Sequence, residues 1–429
     1  MRVVLKINKR KFLEYWGILW FILFSGSLYF QILRIRFTMV IVGATIVLMA
    51  LYGWSVTNIN GKRLIIYIIV MLINSMFTIT NGFDINDFIL VILRMFFCIM
   101  IQSNMSDIRF KRIFIDIMCF EAALSLICFL YADILSVGSL PLMHYTQGPV
   151  NGYYLTPYYT LGWKNIPVFH RNAGWFLEPG AHQIFLNFAL LFLLANGQDL
   201  NLSKSKYRFR VILLISTVLS TMSTTGYMCL FIIMAAVMVM KSNNNIKEKQ
   251  FIKNLRYLAI IGVIVLVVVE NTTHVIEYKF DGMYNGHSSA TTRYNDTLVG
   301  YKIALSKPIM GHGLFNTTMT DVLKSFDVVN ISNGLASLLI NVGVILGIAY
   351  LLLIFNGIRA SFGKRAGRAF HILVFLFYLL CVNSEGGALG ILIYITYMFK
   401  WRTEEEKIDI SLSKIYYNTK DERFVSKNS

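Results

Sequence analysis

Charge is what this chain has least of. Only 15% of its 429 residues are Asp, Glu, Lys or Arg, where a soluble domain carries about 25%. The chain is 56% hydrophobic with a mean hydropathy of +0.59, and its apolar residues come in long runs. A single soluble core is excluded, and a polytopic membrane protein is the expectation. Cysteine is scarce too. All five (Cys98, Cys119, Cys128, Cys229, Cys381) fall in or at the end of apolar runs and none forms a CxxC pair, which argues against structural zinc and a disulfide framework. Walker, Rossmann, HExxH and GxSxG motifs are missing, so there is no recognisable nucleotide or metal site. No small-residue cleavage site follows the basic start (Arg2, Lys6, Lys9, Arg10, Lys11), so the first apolar stretch is expected to remain as a span.

What charge there is has one sign. The net charge of +17 sits mostly in short segments between apolar runs, a placement that speaks for membrane orientation rather than nucleic acid. A helix needs roughly 20 residues to cross a bilayer. Candidate spans lie at 13–32, 37–55, 63–80, 87–103, 113–131, 176–196, 211–240, 257–271, 333–356, 368–382 and 387–400. With the N-terminus inside, Lys62 and Arg63, the Arg109–Lys111–Arg112 loop, and Lys204 to Arg210 all fall inside. The run 211–240 must then break at its polar middle, Ser220 to Gly226, to keep Lys241 to Arg256 inside as well. The expected fold is all-α: a polytopic bundle of about twelve spans with both termini cytoplasmic. Spans 1–5 occupy 1–131, a first external loop 132–175, central spans 176–271, a second external loop 272–332, the last spans 333–400, and a cytoplasmic tail 401–429.

Chemistry outside the membrane must be built from the two long loops. The first is crowded with aromatics, including Tyr145, Tyr153, Tyr158, Trp163 and Trp175. It also holds most of the few prolines: Pro141, Pro149, Pro157 and Pro167, with Pro179 at its exit. This predicts an irregular but stiff segment, serving either as an interfacial belt or as a sugar-facing surface. It ends in His170-Arg171-Asn172-Ala173-Gly174-Trp175-Phe176-Leu177-Glu178-Pro179-Gly180. Arg171 and Glu178 entering a span together are a structural pair at its mouth or a functional one. The second loop carries Arg293 and a mildly amphipathic stretch from Thr297 to Ser306. A tight turn follows, Lys307-Pro308-Ile309-Met310-Gly311-His312-Gly313. Arginine and lysine there are phosphate ligands or headgroup anchors. His312 is a proton carrier or a satisfied turn residue. Inside spans, Glu14, Arg94, Asp116, Glu121 and Glu385 stand out, and Arg94 is expected to pair with Asp116 or Glu121.

Three of these elements resemble the bacterial O-antigen and capsule polymerase family, which is related to the O-antigen ligases. They are R-N-A-G-W-F-L-E-P-G from Arg171 to Gly180, the Thr/Ser-rich break within Ser216–Gly226, and the stretch from Arg293 to Gly313 ending in G-H-G. The break has no arginine, unlike many members. Where the ligase branch has a histidine, Ser332 and Asn333 stand here, and Asn341 replaces an acidic residue. The resemblance therefore points to the polymerase branch. It implies a GT-C-like glycosyltransferase joining undecaprenyl-pyrophosphate-linked glycans at the outer face of the cytoplasmic membrane, without a metal or other cofactor. Beyond those glycans and membrane lipids, a chain-length regulator and a flippase become candidate partners. The implied catalytic set is Arg171, Arg293, Glu178 and His312. His170, Trp175, Lys307, Gly311 and Gly313 are the substrate-binding candidates. A flippase for the same lipid-linked sugar is the competing reading, but it would show internal repeats, and none is visible between the halves.

The topology is open to a direct test. Single cysteines at Asn244 and Ser426 should resist a membrane-impermeant thiol reagent in intact cells, whereas those at Tyr154 and Asn285 should react. Labelling at Asn244 without permeabilisation would rule out the twelve-span arrangement.

Overall fold

The computed structural model describes residues 9–26, 35–54, 84–130, 144–147, 150–153, 158–163, 166–176, 178–197, 199–242, 289–313, 319–326, 328, 331–363, 366–384, 393 and 397, with the strands before Arg171 and residues 289–294 described by backbone alone. The spans expected at 63–80, 257–271 and 387–400, the loop 241–256 beyond Ser242 and the tail lie wholly or mostly outside these residues.

Among the described residues the fold is mostly helical. The helices are α1 (Lys9–Leu23), α2 (Ile35–Leu51), α3 (Ile85–Asn104), α4 (Asp107–Phe129), α5 (Pro179–Asn196), α6 (Lys204–Ser220), α7 (Thr224–Ser242), α8 (Ser289–Ser306), α9 (Met319–Lys324), α10 (Gly334–Val342), α11 (Val344–Phe362) and α12 (Arg368–Ser384). Their ends carry the expected chemistry. Asp84 caps α3 by accepting from the backbone N–H groups of Asn86 and Asp87. Asn333 does the same for α10 through Leu335 and Ala336. Pro179 opens α5, where its missing N–H costs nothing. Ile85–Asn104, Pro179–Asn196, Thr224–Lys241 and Val344–Phe362 are long and apolar enough to cross a membrane.

The bundle is organised around α5. Every residue from His182 to Leu194 is buried, so this helix is apolar on nearly all sides and surrounded by protein. It packs against α4, α6 and α7, and α7 in turn lies along α12. Aromatic rings fill the seams: Phe114 and Phe176 stack on Phe185, and Phe188 meets Phe377 edge-on. Cys229 early in α7 faces Cys381 late in α12 at 3.7 Å. The two helices are therefore antiparallel, and the Lys241 end of α7 lies with the Arg368 end of α12. α6 and α7 meet at Thr221–Ser223, where Met222 has φ +48°, so 211–240 is two helices rather than one.

Several expectations need correction. The first loop is not irregular throughout: His144–Gln147, Val150–Tyr153, Tyr158–Trp163 and Ile166–Asn172 form strands β1 to β4 of an antiparallel meander. The aromatic residues read as an interfacial belt or a sugar-facing surface also favour strands, and the prolines punctuate rather than prevent them. Pro149 and Pro157 fall between strands. Pro167 lies on edge strand β4, where the register slips at Gly162/Trp163, a position that tolerates a missing donor. In the second loop, 289–306 is a helix whose Ile303 and Ala304 pack with Leu323, Ile331, Ala336 and Ile340. The stretch 333–356 is not one span, because it breaks at Gly343 (φ +83°) into α10 and α11.

Arg109, Lys111 and Arg112 are not in a loop either. They occupy the first turns of α4, at the end of the bundle that also receives Lys9, Lys204, Arg359 and Arg368. Lys111 is 1% exposed. Its Nζ meets Asp107 at 2.8 Å, donates to the Ser361 carbonyl, and lies 4.2 Å from the centre of the Phe362 ring. Arg109 pairs with buried Glu14 at 2.6 Å, and Arg210 pairs with Asp116 at 2.6 Å. Asp116 is therefore taken by α6 and Glu121 by His182, so neither pairs with Arg94. A carboxyl group in an apolar bundle is held by the nearest well-placed partner, and the α4–α6 and α4–α5 contacts supply Arg210 and His182.

Lys111 joins α4 to the α11 end through a buried charge. Lys111→Ala should destabilise the purified protein by about 3 kcal/mol, read as a clearly lower unfolding midpoint in detergent. Lys206→Ala, exposed at the same end, should change little. Equal midpoints for the two variants would show that the buried ammonium is not a structural tie.

Candidate functional site

β4 delivers the R-N-A-G motif to the end of the bundle opposite the basic one. Arg171, the penultimate residue of the strand, is half-buried. Its Nε donates to the carbonyl of Thr221 at 3.1 Å, so it is held against the break between α6 and α7. Thr221 ends α6 with its own hydroxyl turned back to Val218. Asn172 is fully buried. Its Nδ2 donates to Ser220 at 2.9 Å and to Ser125 at 3.4 Å, while its Oδ1 accepts from the Gly174 N–H. The chain thus crosses from strand to α5 on a polar seam made by α4 and α6.

Beneath that crossing lies a pair of ionisable side chains. His182 Nε2 is 2.9 Å from Glu121 Oε2, and its Nδ1 is 3.3 Å from the Asn172 carbonyl; both side chains are fully buried. Both ring nitrogens face acceptors. The bonds therefore require an imidazolium beside a carboxylate, or an imidazole beside a protonated carboxyl group. Either form is net neutral, which is the condition for ionisable groups at membrane depth. Gly174, at φ +53°, passes directly over the pair. A Cβ there would run into Glu121 Oε1 and approach the His182 ring within 2.7 Å. Deeper along α5, Asn187 donates to Gln183 and to the Gly226 carbonyl at the start of α7.

The remaining motif residues divide around this seam. Glu178 stands at the N-cap of α5, exposed, with no side-chain capping bond. It forms no ion pair with Arg171 among the described residues, so the reading of these two as a structural pair falls. Trp175 is buried, and its Nε1 has no hydrogen-bond partner among the described residues. His170 is placed on β4 and Arg293 in the first turns of α8; their side chains lie outside the described residues.

The 307–313 turn forms a second cluster. His312 N–H donates to the Ile340 carbonyl at 2.7 Å and Gly313 N–H to the Asn341 carbonyl at 3.0 Å. In return Val344 N–H donates to the Pro308 carbonyl at 2.7 Å. The turn is clipped to the α10–α11 break by backbone bonds in both directions. Gly311 and Gly343 make this possible, since a Cβ on either would meet the other's backbone nitrogen within 2.7 Å. The His312 ring sits with Nε2 at 3.0 Å from Ser306 Oγ and 3.3 Å from the Ile303 carbonyl. Burial lowers its pKa below the usual histidine value, the Ile303 carbonyl opposes the shift, and Lys307 adds to it. A neutral imidazole is the form a general base requires. Lys307 is exposed. Beside this cluster, buried Asp296 accepts from the N–H and hydroxyl of Ser332, and Asn333 donates to Thr297. The Ser-Asn pair that precedes α10 thus fastens it to α8.

Asn172 and His182 escaped the sequence reading. Asn172 sat unremarked inside the motif, and His182 lies three residues beyond Pro179 in an apolar run, where a single polar residue has no periodic signal. Glu121 was visible as a charge within a span, but its partner was not. Comparison with protein-family models and with curated proteins gives no match.

The His312 environment fixes a sign for pH dependence. Its folded pKa lies below the unfolded value, so the neutral ring contributes stability that is fully present above about pH 6.5 and is lost as pH falls through the folded pKa. The unfolding midpoint should therefore fall less on acidification from pH 7 to 5 in His312→Gln than in the parent protein. Parallel pH curves would show that the ring is not held neutral.

Proposed function

We propose that this membrane protein is a glycosyltransferase that polymerises oligosaccharide repeat units carried on undecaprenyl pyrophosphate, at the outer face of a bacterial cytoplasmic membrane. The proposal includes the twelve-span topology with both termini inside and a GT-C-like arrangement. The observation that carries it is the placement of Arg171: a half-buried arginine at the mouth of the most buried helix, its Nε–H held by the Thr221 carbonyl at the break between α6 and α7.

One Nε–H is committed to Thr221. A guanidinium is a cation with N–H donors in a planar fork, the geometry that suits a phosphate anion. In the proposed reaction a sugar hydroxyl on one lipid-linked unit attacks the anomeric carbon of the growing chain on another. The C–O bond to the pyrophosphate breaks, and the electron pair leaves with undecaprenyl pyrophosphate. Negative charge gathers on that leaving group, where a positioned cation helps most. Arg171 and Arg293 take this role, with Lys307 as a further phosphate ligand. Neutral His312 accepts the hydroxyl proton, and exposed Glu178 orients the acceptor. His170, Trp175, Gly311 and Gly313 border the sugar path. A single displacement inverts the anomeric carbon. Ser332 and Asn333, bonded to Asp296 and Thr297, are spent on holding α10, which supports the polymerase over the ligase reading.

Loss of the protein should leave surface glycan of a single repeat unit; long chains still on the carrier would indicate a ligase instead. With purified protein and lipid-pyrophosphate-linked repeat units, Arg171→Ala should slow chain extension more than a hundredfold, equivalent to about 3 kcal/mol of transition-state stabilisation. Arg171→Lys should rescue poorly. Near-normal extension by a well-folded Arg171→Ala protein would remove this site.

A further inference from the structure

At the opposite, basic end, α1 and α4 enclose a cleft of about 500 Å³ lined by Lys11, Glu14, Tyr15, Arg109, Arg112 and Asp116, together with Ser106 and two isoleucines. The proposed polymerase chemistry uses none of these residues. Its two carboxylates are already committed. Glu14, 1% exposed, is held by Arg109 at 2.6 Å and by Arg10 at 3.5 Å. Asp116 is held by Arg210 at 2.6 Å and accepts from the Tyr15 hydroxyl.

Among the described residues, five cations (Arg10, Lys11, Arg109, Arg112 and Arg210) stand around these two acids. Arg109 spends one nitrogen on Glu14 and remains 43% exposed. Arg112 is exposed, and its bond goes to the Leu200 carbonyl, which carries no charge. Each guanidinium has five N–H donors, so both keep donors for a further acceptor. Glu14 fixes Arg109 in place, and Arg109 and Arg112 line the cleft with donors to spare. Such a cleft between helices at a membrane boundary suits a phosphate anion.

The surroundings favour a lipid phosphate over a free one. From the cleft, aromatic rings follow one another at successive turns of α1: Phe12 stacks on Trp16 with ring centres 6.0 Å apart, and Trp16 meets Trp20 edge-on at 5.4 Å. Phe12 is 53% exposed, and the two tryptophans are half-exposed. An acyl chain lying on this aromatic stripe would bring its headgroup phosphate to Lys11, Arg109 and Arg112. We propose that the α1–α4 cleft is a binding site for the phosphate group of an anionic phospholipid in the leaflet at the basic end of the bundle.

The test uses the purified protein in micelles of a phosphate-free non-ionic detergent, titrated with dioleoylphosphatidylglycerol or, separately, with inorganic phosphate. Bound lipid is counted by native mass spectrometry, and the unfolding midpoint is followed in parallel. Phosphatidylglycerol should bind saturably and raise the midpoint. Arg112→Gln should weaken binding, and Lys11→Gln with Arg112→Gln should weaken it by about tenfold or more. Arg208→Gln, exposed at the same end but outside the cleft, should bind as the parent does. Both cleft side chains are exposed and neither holds Glu14 or Asp116, so the variants should fold; their midpoints without added lipid verify this. Protection by inorganic phosphate equal to that by lipid, and lost in the same variants, would keep the phosphate site but overturn the lipid as its occupant. Undiminished phosphatidylglycerol binding in the double variant, or an equal loss in Arg208→Gln, would overturn the proposal.

Discussion

The contact between Glu121 and His182 under Gly174 sets much of what surrounds it. An ionisable pair sealed inside an apolar bundle tolerates no sliding, because either partner alone would be stranded at a cost of several kcal/mol. It therefore fixes the register of α4 against α5. The Asn172 carbonyl on the other ring nitrogen ties the end of β4 to the same point. Since α5 is buried on nearly every side, fixing it also constrains α6 and α7. Arg171, one residue before Asn172, inherits its position from this arrangement.

The two ends of the bundle use arginine differently. At the basic end, Arg109 and Arg210 are matched to Glu14 and Asp116, and Lys111 is buried against Asp107 and an aromatic ring. These residues tie α1, α4, α6 and α11 together where the apolar segments begin. At the other end Arg171 gives its Nε–H to the Thr221 carbonyl, which holds the end of β4 to the break between α6 and α7. Composition alone does not say which arginine goes to which end.

Among the described residues, most of the apolar helices were legible in the sequence, because long apolar runs between basic clusters leave few alternatives. The polar interruption at Ser220 to Gly226 marked the α6–α7 junction for the same reason: hydroxyl side chains and a glycine interrupt an otherwise continuous apolar stretch. Other features were hidden. The meander at 144–172 combines strand-forming residues with prolines, and local composition does not say which dominates. The break at Gly343 lies within an apolar stretch, and its cause is a backbone clip from Pro308, His312 and Gly313, far away in the chain. Arg94 shows the limit for charges. Proximity of spans suggested partners, but those partners had nearer claims from Arg210 and His182. At the candidate site, the R-N-A-G motif was visible as a pattern, whereas the roles of Asn172 and His182 depend on contacts with α4 and α6.

The clip between the 307–313 turn and Gly343 bears on how the protein is made. A helix broken at the mouth of a span exposes carbonyl and amide groups that lipid cannot satisfy. Here their partners are the carbonyl of Pro308 and the amides of His312 and Gly313, all synthesised before α10. The residues of the receiving turn are thus already made when the chain reaches Val344. What satisfies the break comes from an earlier segment and not from α10 or α11 themselves, so the boundary between the two helices is written in the G-H-G turn, none of whose residues belongs to either helix.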